Sequence, residues 1–94
     1  MMPSPHDLSY FIEVSQTLNV SRAAERLGIS QPTLSLAIQR LEKNLGANLL
    51  IRTKSGVHLT HAGTKLVAQA RVLALEWEKI REDALRDENE IRGR

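Results

Sequence analysis

The apolar positions of this chain change period several times, and each change marks an element. Between His6 and about Leu18 they fall at Leu8, Phe11, Ile12 and Leu18, with Tyr10 and Val14 beside them, which predicts a first helix. Asn19 and Val20 interrupt that run, and Ser21 is the candidate N-cap of a second, short helix. Its inner face is Ala23, Ala24 and Leu27, where two adjacent alanines let another helix approach closely. Gly28 closes it, because glycine takes positive φ without a Cβ penalty. Ser30 then caps a third helix, with Pro32 in the first turn, where a missing N–H costs nothing. Leu34, Ile38, Leu41 and Leu45 form its apolar stripe, and Gly46 ends it.

In "LLIRTKSGVHLT" the period becomes that of strands. Apolar and β-branched residues lie on both sides of Lys54-Ser55-Gly56, which predicts a hairpin of roughly Leu49 to Arg52 and Val57 to Leu59. Thr60 is the candidate cap of a last helix that meets no breaker to about Asp87 or beyond, a rod of about 40 Å. The expected fold is therefore mainly α. Three helices and a small β-hairpin wing make a winged helix-turn-helix over residues 1–60, and a long linker helix occupies 61–94.

Composition narrows this picture. The chain has 94 residues, enough for one domain, and only 3% aromatics, so Leu, Ile, Val and Ala must build the core. Absence of cysteine removes disulfide frameworks and thiolate metal sites. No apolar run approaches the ~20 residues that span a bilayer, so no membrane partner is expected. The start, MMPSPHDLSY, lacks the basic and apolar regions of a signal peptide, and a cytoplasmic location is the expectation. Net charge is +2, and all of the excess lies in residues 1–60, which hold six basic and four acidic residues against seven of each in 61–94. That excess is a weak hint of a polyanionic partner for the first part.

Two helices joined at a tight glycine-containing turn present the start of the second helix to a major groove. The polar opening of the third helix, Gln31, Thr33 and Ser35, suits that role. With Leu34, Ile38 and Leu41 on the core, the opposite face is Pro32, Leu36, Gln39, Arg40 and Lys43. Gln pairs with an adenine edge, while Arg and Lys suit guanine or phosphate. The candidate DNA contacts are Ser30, Gln31, Pro32, Thr33, Ser35, Leu36, Gln39 and Arg40, with Arg52 and Lys54 on the wing. Blander readings exist: a solvated helix face, an isolated surface leucine, and charges that keep an edge strand soluble. The turn and the wing together favour double-stranded DNA. His58 and His61 stand three apart, but they straddle the Thr60 cap with no cysteine or nearby acid, so no metal is expected. No nucleophile elbow or oxyanion loop accompanies Ser, His and Asp, so neither an enzyme nor a cofactor is expected.

The stretch "FIEVSQTLNVSRAAERLGISQPTLSLAIQRLEKNLGANLLIRTKSGVHLTHAG" resembles the N-terminal DNA-binding domain of LysR-type transcriptional regulators. The matching features are Ala23-Ala24, Leu27, Ser30-Gln31-Pro32, Leu34-Ser35, Ile38, Leu41-Glu42, Leu45-Gly46, Leu49, Arg52, Leu59-Thr60 and Ala62-Gly63. The resemblance implies a bacterial regulator that binds interrupted palindromes as a dimer or tetramer. It implies contacts from Gln31, Pro32, Thr33, Ser35 and position 36, with Arg52 near phosphate. Two positions depart from it: Leu36, where the family often has a basic residue, and Leu50, where it usually has Phe. The resemblance also implies a much larger effector-binding domain after the long helix. The chain is therefore expected to be a piece of a longer protein, and a small-molecule effector would act only through that absent part.

The last helix carries its own pattern. Leu66, Ala70, Leu73, Trp77, Ile80, Ala84 and Ile91 alternate at spacings of four and three with one step missing at Asp87, which is a seam for another helix. In the family this helix forms the dimer contact, so a homodimer is the expected assembly. The alternative function is a protein–protein interaction module that assembles through this helix.

Overall fold

In a computed structural model, residues 5–92 are described, with side chains described for 6–88. Three helices come first: α1 (Pro5–Thr17), α2 (Val20–Leu27) and α3 (Gln31–Leu45). A two-stranded antiparallel hairpin, β1 (Leu50–Thr53) and β2 (Gly56–Leu59), leads into α4 (His61–Arg92). The winged helix-turn-helix with a long last helix is thus the observed architecture. Its largest dimension is 61 Å, against 26 and 22 Å across.

One core serves α1, α2, α3, the hairpin and the start of α4. Phe11 and Val14 enter it from α1, Val20, Ala23 and Ala24 from α2, and Leu34, Ile38 and Leu41 from α3. Leu49 and Val57 close it from the wing and Val67 from α4. The adjacent alanines are both buried, as a close helix approach requires.

Several local expectations change. α2 starts at Val20, and its cap is Asn19, whose Oδ1 accepts the Arg22 N–H at 3.0 Å; Ser21 already lies inside the helix. Val20 is buried, and only inclusion in the first turn carries it to the core. Leu18 is not an inner-face residue of α1: it follows the helix end with φ 53 and is exposed. Leu45 is exposed too, so the inward stripe of α3 stops at Leu41, and Ala37 joins it. Gly56 belongs to β2 opposite Thr53, which leaves Lys54-Ser55 as the turn; its φ of 126 explains the glycine.

Other expectations stand. Gly28 and Gly46 end α2 and α3 with positive φ, and Ser30 caps α3. Leu50 is half-buried against the core, so leucine fills the place the family usually gives to Phe. Thr60 caps α4: its Oγ1 accepts the Gly63 N–H at 3.0 Å and donates to the Asn48 carbonyl at 2.6 Å. A Cβ on Gly63 would collide with the Leu49 carbonyl, so this helix reaches the wing only because residue 63 has no side chain. The first turns of α4 share the core through Val67 and Ala70.

Candidate nucleic-acid interface

At about 100° per residue, Leu34, Ala37, Ile38 and Leu41 occupy one side of α3, and Pro32, Leu36, Gln39 and Lys43 fall within an arc of about 60° on the other. The first four are buried and the second four exposed. The outward row is therefore a direct consequence of the inward one.

The start of α3 is organised by its cap. Ser30 Oγ accepts the Thr33 N–H at 3.2 Å and donates to Thr33 Oγ1 at 2.7 Å, so these two hydroxyls serve each other. Gln31 is steadied from α2: Ser21 Oγ donates to its Oε1 at 3.0 Å. Ser21, a candidate cap by sequence, thus supports the first residue of α3.

The register of the wing explains where Arg52 goes. Arg52 pairs with Val57 and Leu50 with Leu59, so these four share one face of the hairpin. Val57 points into the core, and Arg52 on the same face reaches α3, where Nη2 donates to Ser35 Oγ at 3.2 Å. Ser21, Gln31, Arg52 and Ser55 line a shallow cleft between the helix-turn-helix and the wing. Lys54, in the turn, is exposed at the wing tip.

Arg40, exposed on the side of α3 expected for it, also makes a contact within the protein. Its guanidinium turns to the start of α1, where Nε donates to Asp7 Oδ2 at 3.2 Å and Nη2 to Asp7 Oδ1 at 3.0 Å. Asp7 is only 3% exposed. This fork is a tie between α1 and α3. The hydrogen bond to Asp7, and then its charge, holds Arg40 above its ordinary pKa. A raised basic pKa adds stability that is full below the unfolded value and is lost only as pH rises through the folded one.

Glu42 is legible in the sequence only as part of a motif, and its role is structural. Its Oε2 accepts the Leu49 N–H at 2.6 Å and the Leu50 N–H at 3.4 Å, which fixes the start of the wing to the last turns of α3. Neither this bond nor the Asp7 pair has a signal in local spacing, because both join residues from different elements.

The expected seam on α4 divides. Ala70 is buried and Leu66 packs against the core, so these two contribute to the protein's own interior. Leu73, Trp77, Ile80 and Ala84 are exposed. The side chain of Ile91 lies outside the described residues.

A three-residue turn at 28–30 between α2 and α3, followed by a hairpin wing, defines a winged helix-turn-helix protein. The chain belongs to the family described as bacterial regulatory helix-turn-helix protein, lysR family, whose sequence pattern matches residues 5–64. It is 39% identical over 87 residues to YkuM, an HTH-type transcriptional regulator of Bacillus subtilis, covering 93% of this chain and 30% of that protein. The chain spans less than a third of the length of the curated relatives it matches, with 30%, 22% and 24% covered in three of them. Among solved structures, it is similar to the CbnR_DBD–DNA complex, with TM-score 0.76 and 39% identity over 87% of this chain and 93% of that one. It is likewise similar to the BenM_DBD/catB site 1 DNA complex, with TM-score 0.79 and 33% identity over 86% and 91%. Among the described residues, no helix is long and apolar enough to cross a membrane.

Proposed function

We propose that this chain is the part of a transcriptional regulator that binds double-stranded DNA, and that two copies occupy an interrupted palindromic operator. The observation that carries this reading is the outward face of α3: Pro32, Leu36, Gln39 and Lys43 are uncovered at a helix whose inner side is fully buried. Solved DNA complexes of similar chains, CbnR_DBD and BenM_DBD, support it. In this reading α3 lies in the major groove. Gln31, Pro32, Thr33, Ser35, Leu36 and Gln39 face bases or sugars, and Ser30 holds the helix start. Arg52 and Lys54 place the wing on the backbone, and Arg40 acts through the pose of α3. The exposed part of α4, from Leu73 through Ala84, joins the two copies. A tetramer of the whole protein and a response to a small effector would depend on a domain beyond this chain.

Titration of a labelled duplex at increasing salt tests the reading. Each neutralised phosphate adds about 0.9 to the slope of log affinity against log salt. Arg52→Ala should lower affinity on every sequence and reduce the slope by about one. Binding that ignores salt, or no binding at all, would instead leave α4 as the working surface of a protein-binding module.

A further inference from the structure

The outward face of α3 is not uniformly polar. Pro32 and Leu36 stand four residues apart on that face, so their side chains are neighbours, and Leu36 is 56% exposed. Two arginines on or near α3 also make contacts within the protein. On the wing side Arg52 is bonded to Ser35 at 3.2 Å. On the α1 side Arg40 is bonded to Asp7 through both Nε and Nη2. Pro32 and Leu36 therefore form a small apolar strip in the N-terminal half of α3, on the same exposed arc as Gln39 and Lys43. A strip of this kind gains nothing from phosphate and nothing from a hydrogen-bonding base edge. The major groove offers one apolar group on a base edge, the thymine C5-methyl.

We propose that Leu36, backed by Pro32, reads a thymine C5-methyl at one fixed position in each half-site. This rests on the reading of α3 as the recognition helix and adds the chemistry that it recognises. Burial of one methyl group against the leucine is worth about a fourfold change in affinity. A chain with a basic residue at position 36 would favour guanine at the same place.

The test works without a defined operator. A duplex is selected from a randomised pool with the 94-residue chain, and each thymine in turn is replaced by deoxyuridine. That change removes the methyl group and keeps every hydrogen-bonding atom. One thymine per half-site should show a loss of about fourfold. Leu36→Ala should lose discrimination at that thymine alone and bind thymine and deoxyuridine equally there. Circular dichroism checks that the variant keeps its helices. Equal binding of all thymine and deoxyuridine duplexes by the unsubstituted chain would overturn the proposal. So would discrimination that survives in Leu36→Ala, since another residue would then read the methyl. Failure to enrich any duplex is a different result: it overturns the DNA reading itself, and this inference with it.

Discussion

Phe11, Leu34 and Leu41 in the winged head are sealed from solvent, whereas Leu73, Trp77 and Ile80 on the outer part of α4 are 62%, 59% and 57% exposed. Both sets are large and apolar, and both recur at helical spacing. The head buries its set because three helices, a hairpin and the first turns of α4 converge on it. Beyond Ala70, α4 has left that body, and every described residue from 71 to 88 is exposed. The same helix thus changes surroundings along its length: Val67 and Ala70 complete the core, and the apolar residues after them stand uncovered. Apolar periodicity marks a face to be covered, and only the surrounding architecture says whether the chain itself covers it.

Substitutions in the two regions should therefore separate sharply. The largest effect is expected from Leu41→Ala, in the sealed core, with a loss of about 3 kcal/mol measured by urea or thermal unfolding. A small loss there would mean that the head is loosely packed and the contrast with α4 is false. Trp77→Glu should leave the melting of the head nearly intact but weaken pairing of two copies by about 2 kcal/mol, roughly thirtyfold in dissociation constant. Sedimentation across a concentration series reads that shift, and an unchanged series would remove Trp77 from the contact. Glu42→Ala strips the acceptor from the Leu49 and Leu50 amides and should cost about 1.5 kcal/mol in unfolding. It should also speed hydrogen exchange in the hairpin before it does so in α1. The smallest effect belongs to Leu75→Ser, on the side of α4 opposite Trp77. It should change neither stability nor pairing by more than about 0.5 kcal/mol. Equal damage from Leu75→Ser and Trp77→Glu would replace a defined seam with general stickiness.

Legibility in the sequence follows the range of the interactions. Gly28, Ser30, Pro32, Gly46 and Thr60 are local backbone signals, and the helix boundaries they mark are those of the structure. The hairpin is legible for the same reason, although Gly56 joins the strand instead of the turn. The start of α2 is displaced from its expected place because Asn19 and Ser21 are both good caps, and the choice between them is made by the burial of Val20. Residues of the outward α3 face follow from the inward stripe, yet their side-chain partners do not. Arg40 finds Asp7 across 33 residues, and Arg52 finds Ser35 across 17. Such pairs are set by the packing angle of α1 on α3 and by the register of the wing, and no periodicity encodes either. The seam on α4 is legible as an apolar row, but its first two members are already taken by the core.

The central claim is that two heads, joined beyond their own cores, set two recognition helices on one duplex. A hydroxyl-radical footprint of this chain on a duplex that it selects tests that claim most directly. The expected result is two protected tracts on the same face of the DNA, separated by a whole number of turns of about 10.5 base pairs. A single tract, with the complex holding one chain per duplex, would contradict it.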